Sequence, residues 1–232
     1  MSFDIRLKID YENWIISEAF SSLLSQEEHA DDLQLHQRLQ KKNQAVIHKY
    51  QMVKMSKAKL DSICDFVVGN YNPSIPIHIA ELLTLEIESF LMMSRSLLDI
   101  LSTSLAIIEL KSSSVQSFNQ LRKRRDCPEW LSKYVKDYSN WSDDLSLRKR
   151  GWLPLLISFN DTGQSLRDFV THRGVAKYDF RELPFDEGWD LIFEPRKNDK
   201  YVLPVKDVAD HIVQGIESLS QTVRLHFDSS CN

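Results

Sequence analysis

The sequence predicts a mainly α-helical single domain, a bundle of long helices with a small β-hairpin before the C-terminal helix. The chain of 232 residues holds only six glycines and seven prolines, which cluster between long periodic segments. In those segments apolar residues recur at steps of three, four and seven, the spacing of one helix face. Near the C-terminal end the period changes to β-rich runs around a polar turn. With 42% hydrophobic residues, the chain can bury one sizeable core but is short for two domains.

The predicted helices follow one another with short breaks. In chain order they cover about residues 11–24, 31–68, 75–110, 129–138, 152–174 and 205–227. Asp31 or Asp32 is expected to cap the second helix, and Gly69 to end it. The third is apolar around much of its circumference, which indicates a central helix packed on several sides. Gly163 inside the fifth costs about 1 kcal/mol of helix propensity, and its lack of a side chain would let a neighbouring backbone approach.

The β-hairpin is predicted over about residues 188–204. The segments Trp189–Phe193 and Lys200–Leu203 are rich in β-formers and flank the polar turn Pro195–Asp199. The C-terminal helix then carries a further apolar face toward the same core.

Charge and cysteine content limit the partners and the cellular compartment that we expect for the protein. The net charge of -4 and a pI near 6.0 give no general attraction to nucleic acid or to an anionic membrane. The chain has three cysteines, an odd number, and they are widely spaced at Cys64, Cys127 and Cys231. This pattern favours a reduced chain without a disulfide framework or a zinc knuckle. No apolar run reaches about 18 residues, and the first residues lack a signal-peptide core. We therefore expect a soluble cytoplasmic protein without a membrane partner.

Two basic clusters precede the fifth helix. Arg122 to Arg125 is the first, and Arg148, Lys149 and Arg150 form the second. Such runs are either solvated faces or phosphate-binding sites, and both interpretations stay open at this point.

Most catalytic motifs are missing from the sequence. It contains no glycine-rich phosphate loop, no GxSxG and no HExxH, and it predicts neither a metal site nor a cofactor. The one concentrated chemical feature is the end of the fifth helix, where Arg167 and His172 lie about 7.5 Å apart along the axis. Asp168 and Thr171 share their side, and Gly174 is placed to end the helix.

An arginine near a histidine suits metal-independent RNA cleavage. Histidine can take a proton from the ribose 2′-hydroxyl or give one to the leaving oxygen, because its pKa lies near working pH. Arginine stays charged and can hold the phosphate with two N–H groups while negative charge builds. A structural alternative is that His172 caps the helix C-terminus and that Arg167 and Thr171 form an ordinary surface pair.

The segment Arg167 to His172 resembles the Rx4H signature of the HEPN superfamily, with Asp168 as the usual polar residue after the arginine. Met92 to Asp99 also resembles the second core helix of many HEPN domains. Within it, Arg95 and Asp99 are four apart, which favours an internal ion pair over a catalytic role. The long N-terminal helix and the hairpin depart from the smaller HEPN domains.

The resemblance implies an endoribonuclease of a toxin–antitoxin or defence system, with an antitoxin or another regulatory protein as partner. HEPN ribonucleases act as homodimers in which two Rx4H motifs face one groove, so Arg167, His172 and Asp168 are the expected catalytic set. Asp168 would orient an imidazole or hold the arginine. The candidate RNA contacts are Arg173, Arg148, Lys149 and Arg150. The alternative is a non-catalytic HEPN-like module that binds nucleotide, RNA or a partner protein.

Overall fold

The structure, a computed structural model, describes residues 33–71, 74–112, 114–142, 149–173, 176–182, 189–195 and 203–230. The helix predicted for residues 11–24, the caps Asp31 and Asp32, and Gly174 lie outside these ranges. The elements in chain order are α1 (Leu33–Tyr71), α2 (Ile77–Leu110), α3 (Phe118–Arg122), α4 (Glu129–Tyr138), α5 (Leu153–Leu156), α6 (Leu166–Arg173), β1 (Ala176–Glu182), β2 (Trp189–Pro195), β3 (Leu203–Pro204) and α7 (Val205–Ser230). The mainly α-helical class predicted from the sequence is confirmed.

The three long helices α1, α2 and α7 form the frame of the fold. Lys59 pairs with Glu86 close to the α1–α2 connection, so the two helices run antiparallel. Tyr50 donates to Glu217 over 2.7 Å, which joins the middle of α1 to α7. Apolar residues every three or four positions on each helix are buried between them, as the helical periodicity predicts.

The central helix α2 is the most apolar element of the chain. It is long and apolar enough to cross a membrane, but 61% of its most apolar window is buried inside the protein. Such burial is typical of the core helix of a soluble protein. The helix ends at Leu110 and is capped by Lys111, whose backbone is left-handed at φ 51° and whose amide donates back to the carbonyl of Ala106.

A buried hydrogen-bond chain ties α4 and α5 to α7. The indole of Trp152 donates to the hydroxyl of Tyr134 over 3.2 Å, and that hydroxyl donates to the carbonyl of Gly215 over 3.1 Å. The Trp152 ring lies directly on Gly215, where an added Cβ would come within 2.2 Å of it. Gly215 is therefore required for the close packing of α7 on the start of α5.

The single helix predicted for residues 152–174 is wrong, because the structure has two short helices joined by a loop. Phe159 and Gly163 exchange backbone hydrogen bonds of 3.1 and 2.7 Å and close a tight turn between α5 and α6. Gly163 has φ 74°, a conformation that favours glycine. No neighbouring atom lies within 4 Å of its Cβ position, so backbone conformation and not close packing explains this glycine.

The sheet is larger than the predicted hairpin. β2 pairs antiparallel with β1 over seven residues, from Ala176 opposite Pro195 to Glu182 opposite Trp189. The predicted pairing of β2 with the following segment is present but short, with Phe193 opposite Leu203. Lys200 to Val202 lie outside the described residues. β1 was missed, although its residues alternate between polar and apolar as in a half-buried strand.

Candidate functional site

The start of α6 is fixed by a network of two serines and one aspartate. The hydroxyl of Ser165 accepts from the backbone amide of Asp168 over 3.1 Å, the usual bond of a helix N-cap. Ser158, across the loop, accepts from the amide of Ser165 over 2.8 Å and donates to Asp168 Oδ2 over 2.7 Å. Ser165 is fully buried. The network therefore places the first turn of α6 against the end of α5.

Asp168 also holds Arg167. The guanidinium Nη1 lies 2.6 Å from Asp168 Oδ1, while the other carboxylate oxygen is occupied by Ser158. Burial acts to raise the pKa of Asp168, but the hydrogen bonds from Ser158, Arg167 and Ser165 hold that pKa below its usual range. The carboxylate thus stays charged at neutral pH and fixes the arginine beside it. Of the two roles predicted for Asp168, this geometry matches the one of holding the arginine.

Arg122 at the end of α3 fastens the loop before α6. Its Nη2 donates to the carbonyl of Ser158 over 3.2 Å, and its guanidinium lies 4.3 Å from the ring centre of Phe159. Burial, and after it the nearby charge of Arg95, lowers the pKa of Arg122. One residue of the first basic cluster is therefore a structural clamp on the segment that carries Ser158.

Arg167 lies over the central helix at the edge of a cleft. Its Nε is 3.2 Å from the sulfur of Met92, and because 24% of its side chain is exposed, Arg167 is half-buried in the first turn of α6. The cleft has a volume of about 250 Å³, and Lys42, Arg95 and Asp99 also line it. Two helices that are distant in sequence thus bring further cations to the motif arginine.

The predicted ion pair on α2 is confirmed. Arg95 Nε lies 3.2 Å from Asp99 Oδ2, and the other carboxylate oxygen of Asp99 accepts from the amide of Phe118 over 2.8 Å. Asp99 therefore joins α2 to the start of α3 while it pairs with Arg95. The guanidinium of Arg95 still lines the cleft beside Arg167.

The other predicted site residues are only partly placed. His172 lies on α6 five positions after Arg167, and the side chains of His172 and Arg173 lie outside the described part of the structure. Arg148 lies outside it as well. Lys149 is exposed, and neither it nor Arg150 is among the described residues that line the cleft. RNA binding by Arg173 and by residues 148–150 stays a prediction.

Arg150 has structural contacts of its own. Its guanidinium lies 5.1 Å from the ring centre of Trp141, and its backbone carbonyl is 2.9 Å from Nε2 of His211 on α7. Burial lowers the pKa of His211, so the neutral ring donates this bond near pH 7. His211 therefore anchors the segment before α5 to α7.

Sequence reasoning did not place three residues at the site: Ser158, Arg122 and Met92. Asn160 to Gly163 is a run of turn-forming residues, and it was the available signal that Ser158 lies in a loop near the cap of α6. Nothing in the sequence pairs Met92 with Arg167, because the contact spans 75 positions.

Within the described ranges, no group of three or more His, Cys, Asp or Glu side chains is arranged to hold a metal ion. Comparison with known proteins adds no relative: no family model, no curated protein and no solved structure matches the chain. The resemblance to HEPN domains therefore rests on Arg167 to His172 and on Met92 to Asp99.

Proposed function

We propose that the protein is a metal-independent endoribonuclease of HEPN type, with Arg167 and His172 as its reacting pair and a homodimer as its active form. The proposal rests on the position of the Arg167 side chain. The Arg167 guanidinium is held by a carboxylate at the edge of a cleft that Lys42 and Arg95 also line. A fixed arginine in such a cleft suits a phosphate that gains charge in the transition state.

The proposed chemistry divides between two side chains of α6. Arg167 binds the non-bridging oxygens of the scissile phosphate, with Asp168 keeping its guanidinium oriented. His172, five residues or about 1.4 turns farther along the helix, transfers the proton of the 2′-hydroxyl or of the leaving 5′-oxygen. Acid and base steps need two proton-transfer groups, and a second copy of the chain would supply the second histidine.

An exposed apolar face beside Arg167 supports the homodimer. Leu82, Leu85 and Met92 are 39%, 62% and 39% exposed. At 100° per residue they fall within an arc of about 80° on α2. Met92 contacts Arg167 directly, so this face adjoins the motif helix. A second copy packed on it by two-fold symmetry would bring the two α6 helices together.

The same proposal includes a biological setting, which the HEPN resemblance alone supports. The enzyme would act in the cytoplasm in a toxin–antitoxin or defence system, restrained by an antitoxin or another regulatory protein. The burial of α2 is consistent with a soluble protein.

RNA cleavage by variants of the pair tests the proposal. His172→Ala is expected to lower the cleavage rate by about 10²–10⁴-fold, the usual share of general acid–base catalysis. Arg167→Ala is expected to cost about 10²–10³-fold, and Arg167→Lys should recover little because lysine lacks the planar two-pronged donor. EDTA should leave the rate unchanged, and the products should end in a 2′,3′-cyclic phosphate.

The matched control is His48→Ala, which removes an exposed histidine from α1. It should cleave like the wild type, and circular dichroism should show all variants folded. Cleavage by His172→Ala at the wild-type rate would refute the proposal. RNA binding by a wild-type protein that cleaves nothing would favour the non-catalytic HEPN-like module instead.

A further inference from the structure

Two adjoining clefts extend from Arg167 along α2 to the N-terminal part of α1. The first is the cleft beside Arg167, and the second, of about 430 Å³, shares Lys42 and Thr103 with it and reaches Arg38 and Lys41. Their α2 wall runs from Met92 to Ile107, about 22 Å at a rise of 1.5 Å per residue. The combined space, which we call the cation groove, is thus far longer than one phosphate group.

The charge of the cation groove is opposite to that of the whole chain. Its described lining residues include five cations and one acid, Asp99; the cations are Arg38, Lys41, Lys42, Arg95 and Arg167. The chain as a whole carries a formal charge of -4. Such a local excess of positive charge concentrates anions along the groove.

Among the described residues, the positive charge of the groove is least compensated at the end formed by α1. Arg95 is paired with Asp99, and Arg167 is paired with Asp168. In contrast, Arg38, Lys41 and Lys42 form no ion pair with another described residue. Arg38 and Lys41 are exposed, while Lys42 is half-buried between the two clefts. An incoming anion would therefore gain most from these three side chains.

We propose that the cation groove binds the phosphate backbone of the single-stranded RNA flanking the scissile phosphate, with Arg38, Lys41 and Lys42 as its phosphate contacts. This inference deepens the proposed function and rests on it for the nature of the polyanion. No aromatic side chain is among the described residues that line either cleft. The five cations among these residues favour contacts to phosphates, so we expect binding that is tolerant of sequence and steep in salt.

The test measures binding of fluorescein-labelled 2′-O-methyl oligouridylate of about 12 nucleotides, which lacks the attacking hydroxyl and is not cleaved. Each phosphate contact on a single strand adds about 0.7 to the slope of log K against log salt. The double variant Arg38→Gln/Lys41→Gln should therefore lower that slope by about 1.4 and the affinity by about 25-fold at 0.1 M salt. Lys42→Gln should lose about 5-fold on the same basis.

The matched control is Lys133→Gln/Lys136→Gln, which removes two exposed cations with the same three-residue spacing from α4, outside both clefts. It should change affinity by less than about twofold. Equal losses in the two double variants would overturn the inference as a general charge effect. Uridine monophosphate competing as well as the oligonucleotide would also overturn it, because the groove would then be a mononucleotide pocket.

The outcomes separate this inference from the proposed function. If the wild type cleaves RNA but the Arg38/Lys41 variant keeps its affinity and salt slope, the groove inference fails and the ribonuclease stands. If His172→Ala cleaves like the wild type while the groove variants lose binding, the ribonuclease fails and the groove remains a polyanion site.

Discussion

Ser158→Ala is the sharpest test of how the motif arginine is held. The hydroxyl makes two bonds at once, accepting from the Ser165 amide over 2.8 Å and donating to Asp168 Oδ2 over 2.7 Å. Ser165 is fully buried, so its amide would be left without this acceptor, at a cost of about 1–3 kcal/mol. The bond to the carboxylate adds a charge-assisted contribution, which water partly replaces because 29% of that side chain is exposed.

These contributions give an expected loss of about 2–3 kcal/mol in the free energy of unfolding. At about 2–4 °C per kcal/mol for a chain of this size, Tm should fall by roughly 4–12 °C. Urea titration followed by circular dichroism measures the loss, and the control Ser62→Ala removes an exposed hydroxyl bonded to its own helix. A Ser158→Ala protein within about 0.5 kcal/mol of the wild type would refute the network as the anchor of α6.

Asp168→Asn completes a double-mutant cycle with Ser158→Ala. The two side chains are in direct contact, so their effects should be non-additive by about 0.5–3 kcal/mol. Additive losses would show that Ser158 acts through the Ser165 amide alone.

The contribution of Asp168 to the free energy of unfolding should also depend on pH. Because the pKa of Asp168 is lowered in the folded state, its contribution is complete above its unfolded pKa, about 4, and is lost as pH falls below that value.

Three further predictions concern packing, assembly and pH. Gly215→Ala would place a Cβ 2.2 Å from a buried indole and should cost at least about 1–3 kcal/mol of unfolding free energy. The control Gly69→Ala, where no atom lies within 4 Å of the added Cβ, should cost none. Urea titration measures both losses. On the proposed function, Leu85→Asp should make the protein a monomer in sedimentation and abolish RNA cleavage. Leu225→Asp, equally exposed at 61% against 62%, should do neither. A dimeric Leu85→Asp protein would contradict the proposed interface. Burial lowers the folded pKa of His211, so its contribution to stability is complete above about pH 6.5 and declines as pH falls from there toward the folded pKa. His211→Gln should flatten that decline in urea titrations at several pH values, and an unchanged decline would exclude this histidine as the cause.

The long elements could be predicted from the sequence because their signals are local and repeated. The helix predicted for residues 129–138 is found with the same bounds, after Pro128 at its N-cap. The helix predicted for 75–110 starts only two residues later, at Ile77. In both, apolar periodicity and a flanking proline or polar run point to the same boundary.

The elements around the motif could not be predicted in the same way, because helical periodicity and turn-forming residues occur close together there. A helical face also fits Leu155, Leu156 and Phe159. In the prediction of one helix for residues 152–174, this periodicity outweighed the turn-forming residues up to Gly163. The Ser158–Asp168 bond then depends on how the loop folds back.

The cation groove was beyond sequence reasoning for a different reason. Lys42 and Arg167 line one cleft although 125 positions separate them, because α1 packs antiparallel on α2. The sequence did predict Arg167 and Asp168 as neighbours on one helix and the Arg95–Asp99 pair. Contacts within one helix follow from spacing, whereas contacts between helices follow from packing.

The antiparallel pairing of α1 and α2 has a consequence for the order of folding. The Lys59–Glu86 contact spans 27 positions, whereas the bond from Tyr50 to Glu217 spans 167. At about 5–20 residues per second, the ribosome makes Glu217 roughly 8–33 s after Tyr50. The α1–α2 hairpin can form early in this interval, since local contacts form fastest. We therefore expect a nascent chain to present the α1 and α2 walls of the cation groove well before α6 and α7 are made and complete the core.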